Sequence, residues 1–273
     1  MWPDTFFDNT PAGTLRLLQI TDPHIFSTTS GHLLGVDTRE SLRQVIERVN
    51  VEELALDAAL LTGDIVHDEG DEGYAAVRRI LTQLPAPVYC LPGNHDERTK
   101  MALLDHGNTH IDKQVFLGDW QIVLLDSVLP DQEGGFLNEE ELGFLQRALE
   151  AHPDHHALIC LHHHPVPIGS AWMDNIRLRN GDEFLALLDR HPQTRGVIWG
   201  HIHQEFESMK NGLRLLGSPS TCIQFMPGND HFAIDPQPPG FRWLALLPNG
   251  EIRSAVRRVA SIDAGLEIDS FGY

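Results

Sequence analysis

Up to Gly200 the chain alternates short apolar runs with stretches of helical periodicity. Leu15 to Ile20, Ala58 to Thr62, Val88 to Leu91, Ile122 to Leu125, Leu158 to Leu161 and Val197 to Trp199 read as strands buried on both faces, where no polar alternation is needed. Asp37-x-x-Glu40 has the form of a capping box. Leu42, Val45, Ile46 and Val49 behind it recur at i, i+3, i+4 and i+7, which predicts an amphipathic helix. Asn138-x-x-Glu141 repeats the arrangement before Leu142, Leu145 and Leu149, and Leu81, Leu84 and two following prolines close another helical stretch. Strands and helices in alternation predict a layered α/β architecture.

After Gly200 the pattern changes to closely spaced strand-like pieces at Leu213 to Leu216, Thr221 to Phe225, Phe241 to Leu247 and Ile252 to Val259, with Asn249-Gly250 as a hairpin turn. Met226 to Gly240 is rich in Pro, Gly and Asp and reads as a loop. No repeat, low-complexity tract or linker interrupts the chain. Residues 1–273 are therefore expected to form one domain, in which 204–273 supply mainly strands of a second sheet and a loop near the site.

With 273 residues and 41% apolar content, the chain can bury a sizeable core. Met1 to Gly13 lacks a basic segment followed by an apolar one, and no stretch approaches the ~20 apolar residues that span a bilayer. A soluble, untargeted, cytoplasmic protein is the expectation. Cys90, Cys160 and Cys222 are odd in number, far apart and mostly inside apolar runs, which predicts buried reduced thiols rather than a disulfide framework. Twenty basic against 39 acidic residues give a formal charge of −19, which repels nucleic acids and anionic membranes. A small phosphate ester could enter only where cations make a cleft locally positive.

Residues suited to holding such cations recur behind the apolar runs. Asp22-Pro23-His24 places a carboxylate and an imidazole two residues apart, so extended backbone would point both the same way. The same spacing makes Gly200-His201-Ile202-His203 a two-imidazole clamp. Asp64 follows Gly63, where one carboxylate with two oxygens could bridge a pair of cations. In Pro92-Gly93-Asn94-His95-Asp96, Asn94 offers a neutral amide oxygen and His95 is left to act on substrate. His162, His163 and His164 precede Pro165, and alternation is expected to send one of them to the metal and its neighbours elsewhere. Taken singly, D-x-H and Gly-Asp read as ordinary loop residues and the three histidines also fit a surface patch, while GHxH is more specific and GNHD more distinctive; their joint occurrence at strand ends carries the inference. Two divalent cations would bring four positive charges, of which Asp22 and Asp64 cancel two. The surplus would bind phosphoryl oxygens and lower the pKa of a bound water towards about 7.

The five blocks, D-x-H, GD, GNHD, H and GHxH, resemble the calcineurin-like metallophosphoesterases. The resemblance implies a four-layer αββα sandwich, two mixed β-sheets flanked by helices. It implies that Asp22, His24, Asp64 and His203 hold one metal, and Asp64, Asn94, His163 and His201 the other. His163 is chosen because the family's ligand stands two residues before the proline, leaving His162 and His164 around or outside the site. His95 matches a nonligand histidine that stabilises or protonates the leaving oxygen, with Asn94 beside it at the substrate. Gly63-Asp64-Ile65-Val66-His67-Asp68 departs from the GDxxDRG of protein phosphatases. Leu18-Gln19-Ile20-Thr21-Asp22, Leu161-His162-His163-His164-Pro165, Gly200-His201-Ile202-His203-Gln204, Pro219-Ser220-Thr221-Cys222 and Ser170-Ala171-Trp172-Met173-Asp174 instead look like the bacterial cyclic-AMP phosphodiesterases. That implies hydrolysis of 3′,5′-cyclic AMP to 5′-AMP by metal-held hydroxide. It also implies two divalent or mixed-valence metal ions as cofactors, iron or manganese foremost, with zinc or cobalt also accommodated. Trp172, Met173 and Phe225 are candidates to contact the base, although core packing explains each as well. The rival readings are a broader phosphodiesterase acting on glycerophosphodiesters or 2′,3′-cyclic nucleotides, and a noncatalytic scaffold.

Overall fold

The computed structural model describes residues 7–52, 55–261, 265–270 and 272, so the reading of Met1 to Gly13 falls partly outside the described residues. Two six-stranded mixed sheets form the centre. One runs in the order Ile252–Arg258, Gly240–Leu246, Leu15–Ile20, Ala58–Thr62, Val88–Leu91, Thr109–His110; the other runs Phe206–Lys210, Leu213–Gly217, Thr194–Trp199, His156–Cys160, Trp120–Leu124, Gln114–Leu117. In the first sheet Leu15–Ile20, Ala58–Thr62, Val88–Leu91 and the edge strand Thr109–His110 are parallel and the two strands at the other edge pair antiparallel; in the second the four middle strands are parallel and both edge strands antiparallel.

Side-chain alternation along the buried strands divides the apolar residues between layers. Leu18, Ile20, Ala59 and Leu61 pack outward against Leu42, Val45, Ile46, Tyr74 and Val77 of the helices Thr38–Val51 and Asp71–Leu81. Leu17, Ala58 and Leu60 face the other way and meet Ile122, Leu158 and Ile198 across the gap between sheets. Val123, Ile159 and Val197 then cover Leu145, Leu149, Phe184 and Leu188 of the helices Glu139–Ala151 and Gly181–Leu188. The layers therefore run helix, sheet, sheet, helix. Both N-caps form, but not as reciprocal boxes: Asp37 accepts from the Glu40 N–H at 3.0 Å and Asn138 from that of Glu141 at 2.9 Å, while the Glu40 carboxylate turns to Arg43 and Gln44 and that of Glu141 to Lys113 and the Asp126 N–H. The three cysteines are buried and unpaired, and no described helix is long and apolar enough to cross a membrane.

The expected use of residues 204–273 is corrected. Phe206–Lys210 and Leu213–Gly217 join the second sheet, but Gly240–Leu246 and Ile252–Arg258 close the first, pairing antiparallel beside Leu15–Ile20. Gly240–Leu246 is buried along its whole length, so it needs a layer on each face; the free side of the first strand offers both. Within Met226 to Gly240, Ile234–Asp235 pairs with Gln224–Phe225, so the expected loop is partly a short hairpin.

Arg242 joins the sheets. It is 1% exposed, and its guanidinium donates to the Gly217 carbonyl at 2.7 Å, to Ser254 Oγ at 2.5 Å and to Ser218 Oγ at 3.2 Å. Ser218 Oγ donates onward to Gln19 Oε1 at 2.7 Å. Arg242→Ala strands these buried acceptors and is expected to destabilise the fold by about 2–4 kcal/mol. Urea unfolding of the variant checks it, with an unchanged slope and a lower midpoint expected.

Candidate metal centre

Every chemistry-bearing segment begins where a parallel strand ends. Asp22 follows Leu15–Ile20, Asp64 follows Ala58–Thr62, Asn94 follows Val88–Leu91, His162 follows His156–Cys160 and His201 follows Thr194–Trp199. Backbone hydrogen bonds lace the first two turns together: Asp22 N–H to Gly63 O and His24 N–H to Asp64 O, each 3.0 Å.

The backbone here is not the extended chain that two-residue spacing suggested. Asp22, His24, Asp64, His201 and His203 have φ between 47° and 66°, the left-handed region. Asp and His tolerate that region better than most residues, yet each instance costs of order 1–3 kcal/mol. What aims these side chains is a set of strained turns beyond the strands. Gly200 belongs to the same packing, since a Cβ there would run into Thr21 Oγ1 and Asp22 Oδ2.

These turns bring Asp22, His24, Asp64 and His203 to one point. His24 Nε2 lies 3.3 Å from His203 Nε2 and 3.6 Å from Asp64 Oδ2, and His203 Nε2 lies 3.3 Å from Asp22 Oδ1. Nearby polar groups set the direction of the donors. The His201 N–H donates to Asp22, and that of His95 donates to Asp64 Oδ1 at 2.9 Å. His203 Nδ1 meets the Ile223 carbonyl at 2.9 Å, while Phe225 stacks on its ring at 4.2 Å.

The three consecutive histidines divide differently from the count back from Pro165. His162 Nε2 lies 3.3 Å from Asp64 Oδ2, 4.0 Å from Asp22 Oδ1 and 3.2 Å from Asn94 Oδ1, with Nδ1 on the Thr62 carbonyl at 2.9 Å. His163 instead contacts Ser127 Oγ through Nδ1 at 2.8 Å and the Glu133 carbonyl through Nε2 at 3.0 Å, under the backbone of Gly135. Leu161 makes the last bond to the strand Thr194–Trp199, after which the chain bends, and the two rings stand at 88°. His164 turns to Asp174 at 3.5 Å. All three are buried, so none forms a surface patch. His201 lies beside His162 and His163, with ring centroids 5.0 and 4.7 Å away, and its Nε2 is 3.2 Å from the Ile176 carbonyl.

The electrostatics suit cations. Burial pushes the His24 and His201 imidazoles well below their ordinary value, which keeps them neutral as ligand nitrogens must be. Burial opposes charge on Asp64, yet His162 and His95 hold its carboxyl well below the usual carboxylate range. Burial also opposes charge on His162, but Asp64 beside it raises the imidazole to about 9. Two clustered carboxylates, an amide oxygen and several buried imidazoles form a donor set for two divalent cations.

Asp96 ends the Gly93-Asn94-His95-Asp96 motif, and the sequence pattern alone gives it no role. Buried at 5% exposure, it accepts from the N–H groups of Gly93, Ile65 and Val66 at 2.8, 3.0 and 3.2 Å, and from Tyr74 Oη at 3.3 Å. It clamps the Asp64 turn to the Asn94 turn. A cleft of about 460 Å³ opens beside the cluster, floored by Asn94, His95 and His201 and walled by Trp172, Met173, Ile176 and Phe232. Phe225 lies behind His203 rather than in the wall, and Phe232, which no motif marked, stands against Trp172 at 5.4 Å.

A family model described as calcineurin-like phosphoesterase matches residues 15–205. The chain is 42% identical over 267 residues to a Pseudomonas aeruginosa protein named 3′,5′-cyclic adenosine monophosphate phosphodiesterase CpdA, covering 97% of this chain and 98% of that one. It is 40% identical over 262 residues to the protein of the same name from Escherichia coli K12, covering 95% of each. A Nostoc protein named as a 3′,5′-cyclic-nucleotide phosphodiesterase is 38% identical over 246 residues, 90% of this chain and 92% of that one. Among solved structures, a dimetal phosphatase from Danio rerio aligns with a TM-score of 0.67 at 15% identity, over 90% of this chain and 99% of that one, a likeness of fold.

Proposed function

We propose that this chain, which belongs to the calcineurin-like phosphoesterase family, is a metal-dependent phosphodiesterase that hydrolyses 3′,5′-cyclic AMP to 5′-AMP. One observation carries most weight: the segments that resemble the family's pattern, D-x-H, GD, GNHD, H and GHxH, are those whose donors meet at the strand ends. Asp22, His24, Asp64 and His203 are assigned to the first cation. Asp64, Asn94, His201 and His162 are assigned to the second, His162 taking the place first given to His163 because its Nε2 faces Asp64 and Asn94. Iron and manganese are the pair we favour, since carboxylate, amide and imidazole donors suit both.

Bound there, two divalent cations supply Lewis acidity for the phosphoryl oxygens and acidify water. The chain's own groups do the rest. Asp64, whose Oδ2 lies near both His24 and His162, stands between the two sets of ligands. His95, on the cleft floor, is placed to hand a proton to the departing 3′-oxygen as its bond to phosphorus breaks. Trp172, Phe232 and Ile176 offer an apolar wall for the adenine, where stacking is worth roughly 1–3 kcal/mol.

The test is a diester panel of cyclic AMP, cyclic GMP, glycerophosphocholine and bis(p-nitrophenyl) phosphate, run on metal-analysed protein. The highest kcat/KM is expected for cyclic AMP, abolished by a chelator and restored by Mn²⁺. A higher value for glycerophosphocholine would replace the reading with the broader phosphodiesterase. The assignment of the second cation has its own check. After dialysis, His162→Ala should retain about half the metal of the parent, as expected when one of two ions is lost, whereas His163→Ala should retain nearly all of it. The reverse order would return the role to His163.

A further inference from the structure

The turn that carries Asp64 continues through Ile65 and Val66 to His67, a residue given no part in the reaction above. Its Nδ1 lies 3.3 Å from Nδ1 of His24. Its ring stacks on that of His95, centroids 4.9 Å apart and planes within 19°. Phe26 packs against it at 4.5 Å, and the backbone bridge between Ile25 and Val66 ties its turn to the one that carries His24. His67 thus touches both a candidate ligand and the candidate acid.

The tautomer of His24 gives this contact its meaning. His24 turns Nε2 towards Asp64 and His203, so a cation held by these groups meets Nε2. A neutral imidazole carries one proton. For Nε2 to offer a lone pair, that proton must sit on Nδ1, where it points at Nδ1 of His67. Ligand histidines ordinarily give this second N–H to a carboxylate, a carbonyl or a water. Here another imidazole stands in that place, and it can accept only with its own proton on Nε2.

We propose that His67 is a positioning residue with two contacts: it accepts the Nδ1–H of His24, fixing that ring for the first cation, and its face holds the His95 ring over the cleft. The inference rests on the proposed roles of His24 and His95. The acceptor contact should govern metal affinity, and the stacking contact should govern turnover of loaded enzyme.

Three variants of the full chain separate them, with Zn²⁺ as the probe ion in competition with a chromophoric chelator. His67→Ala should weaken zinc binding at one of the two sites by roughly 10- to 100-fold. In zinc-saturated protein it should lower kcat by roughly tenfold, with KM within about twofold, as a misaimed acid does. His67→Gln restores an acceptor without a ring, so affinity should recover while kcat stays low. His67→Phe restores a ring without an acceptor, and the opposite split is expected. Nitrogen-15 spectra of histidine-labelled, zinc-loaded parent protein should show His24 protonated at Nδ1, a readout that needs neither substrate nor variant. A His24 protonated at Nε2, or His67→Ala with parental zinc affinity and turnover, would overturn the proposal. Parent protein that binds zinc yet leaves cyclic AMP intact would overturn the substrate reading, and the affinity and NMR results would still decide the role of His67.

Discussion

Asp64→Ala is expected to strip both cations and to lower kcat/KM for cyclic AMP by roughly 10⁴-fold or more. The carboxylate is 2% exposed and faces both groups of donors, with Oδ2 3.3 Å from His162 Nε2 and 3.6 Å from His24 Nε2. Each lost cation removes several kcal/mol of transition-state stabilisation, and about 5–6 kcal/mol corresponds to that factor. Alanine also removes the acceptor of the His95 N–H and the partner of His162 Nε2. Part of any loss is then unfolding, since a buried polar group left without its partner costs about 1–3 kcal/mol. Asp64→Asn is the control. It keeps the volume and an acceptor for His95 while removing the charge, so it should stay folded and still lose metal and turnover. An asparagine variant that keeps both ions and parental rates would remove Asp64 from the bridge.

What could be read from the sequence follows from the range of each interaction. Buried strands declare themselves because residues such as Leu17 and Leu18 must satisfy opposite faces at once, leaving an unbroken apolar run. Asp22, His24, Asp64, Asn94, His201 and His203 could be named because Asp, Asn and His at successive strand ends have few structural reasons to recur. The aim of those side chains could not be read. It depends on left-handed turns at Asp22 and His24, held by the neighbouring strand's turn through the carbonyls of Gly63 and Asp64. Counting back from Pro165 selects His163, whereas His162 is the ring that faces Asp64 and Asn94; the chain bends after Leu161, so neither the count nor strand alternation fixes which ring turns inward. Sheet membership of Gly240–Leu246 depends on which edge is free, and that is settled by all the other strands together. His67 and Phe232 carry no motif; only their neighbours in space give them a role.

His95→Ala, the second of the large effects, should leave both ions in place and lower kcat for cyclic AMP by roughly 10²–10⁴, the scale of a positioned acid or base. The ring stands edge-on to His24 at 4.8 Å and lines the cleft, while its backbone N–H is the part that serves Asp64. Alanine keeps that N–H, so metal content and fold should survive. The leaving group then distinguishes proton transfer from simple charge stabilisation. Departure of the 3′-oxygen of cyclic AMP forms a strongly basic alkoxide unless a proton arrives, whereas p-nitrophenolate leaves unaided. The variant should therefore lose about tenfold or less on bis(p-nitrophenyl) phosphate while losing far more on cyclic AMP. Equal losses on the two substrates would mean that His95 binds phosphoryl oxygens throughout the reaction. Stacking by His67 would then be holding a charge-stabilising donor, and the tenfold drop expected of His67→Ala should appear on both esters alike.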